Sequence, residues 1–190
     1  MELKESGNPI DDAGIAKQVL SNLFYGWGYN FYRRENQLRA DDLLIRSRLS
    51  DWLGECRAHL AVLEADYRRT HLPPPTREHP FPDAGAVGQA QALQRLGRDI
   101  ESLETAIRTA AVPEMDRIHQ RHRNEAETLE KLVAADSTLV LHVMQLRDAV
   151  VAIGDATAAI DQVPALLKAS EIASGLQQRN QILSVLAEGG

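Results

Sequence analysis

The chain has 190 residues, of which 44% are hydrophobic, and a net charge of −6 at pH 7. This length and composition favour a single domain over residues 1–190 with a sizeable core. The negative charge argues against a general affinity for nucleic acid, which needs a basic surface to displace phosphate counterions. No run of residues approaches the roughly 18 uninterrupted apolar residues of a membrane helix, and the N-terminus lacks an apolar signal segment. We therefore expect a cytoplasmic protein.

A long amphipathic helix is predicted first, because apolar residues recur there at alternating three- and four-residue steps. The stripe consists of Leu20, Phe24, Trp27, Phe31, Leu38, Ile45, Leu49, Leu53, Cys56, Leu60, Leu63 and Tyr67. With Asp11 as its N-cap, the helix is predicted over residues 11–69. Gly26 and Gly28 are its weakest point, since each costs about 1 kcal/mol against alanine in a helix interior. The single cysteine, Cys56, is predicted to be buried.

Six aromatic residues are concentrated at positions 24–32 of this helix. Tyr25, Tyr29 and Tyr32 have the spacing of a second stripe, on a different face from the stripe that contains Trp27. A helix with aromatic residues on two faces needs two neighbours. The second neighbour is either another helix of the same chain or a protein partner. In the latter case Tyr25, Trp27, Tyr29 and Tyr32 form a surface for a partner or a second copy.

Five of the eight prolines fall in residues 70–88, which are predicted to be an extended connection. We interpret this connection as a structural crossover between helix ends that Phe81 pins to the body of the protein. The alternative is that it is a recognition segment for a proline-reading domain.

Three further helices are predicted, over residues 87–111, 113–158 and 164–187. Pro113 and Pro164 are each placed in the first turn of a helix, where a missing N–H is tolerated. The first of these helices carries a regular apolar seam of Leu93, Leu96, Ile100, Leu103 and Ile107. No strand pattern is present. The predicted fold is therefore all-α, either an elongated antiparallel helical bundle or a long helical hairpin, with about four helices in all.

Charged residues close to the apolar stripes predict a buried polar layer. Arg34 and Asp42 interrupt the stripe of the first helix, and His122 and Glu125 lie on the apolar side of the third. If these four side chains are buried, they need partners. The alternatives are that Arg34 and Asp42 form a pair at the edge of the stripe that reaches water, and that His122 and Glu125 are simply exposed.

A metal site is the alternative interpretation of the same region of the third helix. Asp116, His119, His122 and Glu125 follow one another at three-residue intervals, a spacing used by carboxylate-bridged metal bundles. Glu55 and His59 of the first helix are further candidate ligands. Such bundles normally carry a carboxylate-histidine pair on each of two helices, and the chain supplies one such pair.

Signatures of catalysis are lacking in the sequence. Cys56 and His59 lie one turn apart, but no third group or oxyanion-binding glycine loop accompanies them. We expect a non-enzymatic interaction protein, an adaptor, scaffold or regulatory partner without a cofactor, that forms a homodimer or larger oligomer or binds another protein. The alternative is a helical bundle that binds a metal or a small ligand.

Overall fold

The structure, a computed structural model, describes residues 38–110 and 125–188. These residues form five helices: α1 (Leu38–His71), α2 (Ala84–Arg108), α3 (Glu125–Val151), α4 (Ala156–Ala169) and α5 (Ile172–Glu188). No strand occurs in these two ranges. The prediction of an all-α helical bundle is therefore confirmed.

Helix α1 buries the stripe that the three- and four-residue spacing indicated. The buried members are Ile45, Leu49, Leu53, Cys56, Leu60 and Leu63. The helix ends at His71 because Leu72 precedes a proline, and the N–H of Leu72 donates a last hydrogen bond to the carbonyl of Arg68 (2.9 Å). The predicted burial of Cys56 is confirmed. The predicted part of the first helix before residue 38, with Gly26 and Gly28, lies outside the described residues.

Helix α2 begins three residues before its predicted start, because Asp83 caps it. The Asp83 carboxylate accepts a hydrogen bond from the N–H of Ala86 (2.7 Å), which satisfies a backbone donor of the first turn. Along the predicted seam, four residues are buried and Leu103 is half-buried. Phe81 in the preceding connection is 84% exposed. The prediction that Phe81 pins the connection to the body of the protein is therefore wrong.

The C-terminal helices differ from the predicted 113–158 and 164–187 in their boundaries. Asp155 is an N-cap, whose side chain accepts from the N–H of Ala158 (2.9 Å), so α4 begins well before Pro164. Pro164 lies inside α4 instead of opening a helix. Helix α4 ends at Ala169, and Glu171 has a φ of 52°, in the left-handed region, before α5 starts. The predicted last helix is thus two helices.

The chain divides into two compact units, and the boundary between them falls inside α1 and inside α3. The first unit comprises Met1–Arg48, Thr109–His142 and Ile172–Gly190, and the second comprises Leu49–Arg108 and Val143–Glu171. Within the second unit, α2 packs against α4. The prediction of one domain over residues 1–190 stays a prediction.

Candidate functional site

Most of the site residues indicated by the sequence lie outside the described residues. This holds for Tyr25, Trp27, Tyr29, Tyr32, Arg34, Asp116, His119 and His122. Asp42 and Glu125 lie in α1 and α3, but their side chains are not described. The aromatic contact surface, the polar layer of these residues and the metal site therefore stay predictions.

The two further candidate metal ligands, Glu55 and His59, contact α3 and the connection that follows it. A carboxylate oxygen of Glu55 accepts from Arg147 (3.3 Å), and Nε2 of His59 donates to the carbonyl of Ile153 (2.8 Å). Within residues 38–110 and 125–188, no group of three or more His, Cys, Asp or Glu residues could hold a metal ion. In the second unit these two side chains thus contribute to packing.

Cys56 is fully buried in α1, and its surroundings suppress its acidity. Burial, followed by the nearby charge of Glu55, raises the pKa of the Cys56 thiol to about 12. Thiol nucleophiles react as thiolates, which a raised pKa disfavours. Cys56 is therefore a core residue and is unsuited to nucleophilic chemistry.

We expect Cys56 in the folded protein to resist a thiol-specific disulfide reagent at about pH 8, near the ordinary thiol pKa of ~8.5, and to react fast once urea unfolds the chain. The unfolded chain also loses this proton first as the pH rises. The part of the stabilising contribution of Cys56 that depends on the proton is therefore fully present below the ordinary thiol pKa, and it is lost as the pH rises from there to about 12. Equal reaction rates for the folded and unfolded chains would show that the thiol is accessible.

Trp52 is a core residue of the second unit, although it is not a member of the predicted stripe. It is 1% exposed, and the guanidinium of Arg147 lies over its ring, 5.4 Å from the centroid. Arg147 also pairs with Asp148 (2.6 Å) and with Glu55. The sequence does contain the spacing that indicates its burial, since Trp52 follows Leu49 by three residues and precedes Cys56 by four.

A buried polar layer in the second unit joins α1 to α2. Ser50 donates to a carboxylate oxygen of Glu104 (2.7 Å), and Nε of Arg108 donates to the Ser50 hydroxyl oxygen (2.7 Å). Arg108 and Arg57 also form ion pairs with Glu104, at 3.0 and 3.2 Å. Because the carboxylate of Glu104 is satisfied by three partners, this layer fixes the register between the two helices.

The first unit contains a second buried polar contact, between α3 and α5. Nε of Arg179 donates to Asp136 (2.7 Å), and the two side chains are each 2% exposed. Arg46 of α1 is also buried and donates to the carbonyl of Ala110 (2.6 Å). Burial lowers the pKa of Arg46, and the charge of Asp136 partly opposes that shift. Asp136 therefore supports two buried guanidinium groups.

A groove of about 490 Å³ is lined by residues of α1 and α2 in the second unit. Small residues line part of it, namely Gly54, Ala58 and Ala61 on α1 and Gly97 on α2. A Cβ atom added at Gly54 or Gly97 would meet nothing within 4 Å. The groove therefore has room that the described part of the chain does not fill.

The charged residues of the groove carry both signs on each helix. Arg57 and Glu64 come from α1, and Arg98 and Glu101 come from α2. Glu64 pairs with Arg68 of its own helix (2.6 Å) and accepts from Gln94 of α2 (2.8 Å), while Arg57 pairs with Glu101 (3.5 Å). The groove thus presents small apolar side chains bordered by charges of mixed sign.

Comparison with protein-family models, curated proteins and solved structures finds no match for this chain. Among the described helices, none has the length and apolar character needed to cross a membrane.

Proposed function

We propose that this chain is a non-enzymatic helical interaction protein that associates with a second copy of itself through the groove of α1 and α2. The observation that carries the proposal is the pair of glycines in the groove, Gly54 and Gly97. The aromatic segment at residues 24–32 is the second contact surface of the same proposal, on sequence grounds.

The glycines are unfavourable for the helices that contain them. A glycine in a helix interior costs about 1 kcal/mol relative to alanine, because it loses more backbone freedom on folding. Close packing within the chain often explains such a residue, but a Cβ at Gly54 or Gly97 would have open space around it. These glycines would allow the backbone of another chain to approach closely, as it does when a helix binds in a groove.

A second copy of the chain suits the mixed charges of this groove. Most homodimers are twofold symmetric, so the same surface of each subunit faces its counterpart. A surface of one charge sign would repel itself in that arrangement. Arg57, Glu64, Arg98 and Glu101 supply both signs, so each subunit can offer acidic groups to the basic groups of the other.

We expect Gly97→Gln to weaken self-association at least about tenfold, which corresponds to 1.4 kcal/mol. The glutamine side chain would occupy the groove and keep the second copy away. The substitution should also stabilise the folded monomer by roughly 0.5–1 kcal/mol, since glutamine favours a helix more than glycine does. Sedimentation velocity over a range of concentrations measures the first effect, and urea unfolding measures the second.

Gly88→Gln is the matched control, because Gly88 lies in the same helix and also has open space around it, but does not line the groove. It should stabilise the fold to a similar degree and leave association unchanged. If both variants associate as the unmodified chain does, the groove is not the contact surface. The alternative function is the binding of a metal or small ligand. It rests on Asp116, His119 and His122, which lie outside the described ranges, and on Glu125, whose side chain is not described, so it stays a prediction from the sequence.

A further inference from the structure

The connection between α1 and α2, residues 72–83, has a defined conformation that its own hydrogen bonds maintain. At its start, Leu72 donates to Arg68, and at its end Asp83 caps α2. Between these points, the N–H of Thr76 donates to the carbonyl of His79 (3.0 Å), and the N–H of His79 donates back to the Thr76 hydroxyl oxygen (3.1 Å). The connection is therefore fixed at both ends and in the middle.

Prolines restrict the rest of the connection. Three are consecutive, at positions 73–75, and two more flank Phe81. Each proline ring holds φ near −65°, and consecutive prolines favour the polyproline II conformation, whose backbone is open to partners. All of residues 73–83 are exposed. The segment thus presents a stiff proline run at positions 73–75, a turn at residues 76–79, and the exposed Pro80–Pro82 stretch on the surface of the second unit.

Phe81 is the most exposed large apolar residue among those described, at 84%. A single exposed apolar side chain is common on protein surfaces and has no meaning by itself. Here, however, the exposed ring lies between Pro80 and Pro82 in a segment with little conformational freedom left to lose. Aromatic side chains are frequent anchors of protein interfaces, and a pre-ordered segment loses less entropy on binding.

We infer that residues 72–83 are a ligand for a proline-reading domain, a partner whose groove is lined by aromatic side chains. Such grooves accept preformed polyproline II segments, and proline rings stack on their aromatic walls. Phe81 is the anchor of this interaction, and the run at positions 73–75 supplies the extended backbone. This inference is independent of the proposed self-association, because no residue of the segment lines the groove of α1 and α2.

The test is a calorimetric titration of the full chain into purified proline-reading domains of the SH3, WW and EVH1 types. We expect at least one domain to bind with a dissociation constant of about 1–100 µM, the range of a weak and transient contact. Phe81→Ser should weaken that binding at least about tenfold, as expected for an interface anchor. Pro74→Ala should weaken it as well, because it loosens the extended run.

Val62→Ser is the matched control, since Val62 is an exposed apolar residue (58%) of α1 that lies outside the segment. It should leave binding unchanged, and circular dichroism should show the same helix content for all variants. Absence of binding to every domain, or binding that Phe81→Ser does not affect, overturns the inference. A lower oligomeric mass for Phe81→Ser in light scattering also overturns it, because the segment then contacts a second copy. The proposed self-association would survive each of these results.

Discussion

We expect Asp136→Asn to lower the free energy of unfolding by about 3–5 kcal/mol, the usual cost of removing one partner from a buried ion pair. The side chains of Asp136 and Arg179 are each 2% exposed, so water cannot replace the lost carboxylate charge. Arg46, also buried in the first unit, loses the same opposite charge. Urea unfolding followed by circular dichroism measures the change.

Asp66→Asn is the control for this prediction, because Asp66 forms an exposed ion pair with Arg69 (2.6 Å). Exposed pairs contribute only about 0–1 kcal/mol, so the control should unfold almost as the unmodified chain does. Combining Asp136→Leu with Arg179→Met should recover much of the loss, since an apolar pair of similar volume has no buried charge to desolvate. If Asp136→Asn and Asp66→Asn have equal, small effects, the buried pair does not stabilise the first unit.

The second large effect is expected for Trp52→Ala, at about 3–5 kcal/mol of lost stability. Removing the indole leaves a cavity in the core of the second unit and takes away the ring below the guanidinium of Arg147. The same unfolding experiment gives the magnitude.

Two controls separate the contributions to the effect at Trp52. Trp52→Phe keeps an aromatic ring and most of the volume, so it should cost clearly less than the alanine variant. Val62→Ala removes apolar atoms from an exposed position and should change stability by less than about 0.5 kcal/mol. A small effect of Trp52→Ala would mean that the ring is not a core residue.

The all-α fold could be predicted from the spacing of apolar residues, because the buried positions of a helix recur every three or four residues. The spacing from Ile45 to Leu63 predicted both the helix α1 and its buried side, including Cys56. Boundaries were harder to predict, because short side chains decide them locally. The caps Asp83 and Asp155 decide where α2 and α4 begin, and the spacing of the apolar residues does not indicate either cap. Pro164 is compatible in sequence with the first turn of a helix, but in the structure it lies inside α4.

The polar contacts could not be predicted, because they join residues that are distant along the chain. Asp136 pairs with Arg179, 43 positions away, and Ser50 bonds to Glu104, 54 positions away. Nothing in the local sequence specifies how two helices align along their lengths. These buried contacts do not test the predicted polar layer. Arg34 and His122 lie outside the described ranges, and the side chains of Asp42 and Glu125 are not described, so that layer stays a prediction.

The groove and the exposed phenylalanine also depend on tertiary structure. The sequence does not indicate that Gly54 and Gly97 line a groove, because the open space around them is a property of the folded structure. Phe81 was expected to pack inward because large apolar side chains usually do. It lies instead between two prolines in a stretch, residues 73–83, whose residues are all exposed.

The proposal that this protein self-associates is tested most directly by its absolute mass in solution, from light scattering over a range of protein concentrations. We expect a mass of twice the 21.0 kDa of the chain at high concentration, which declines towards 21.0 kDa on dilution if association is weak. Gly88→Gln should reach the dimer mass at the same concentrations as the unmodified chain, whereas Gly97→Gln should need concentrations at least about tenfold higher. A constant mass of 21.0 kDa for the unmodified chain at every concentration would contradict the proposal.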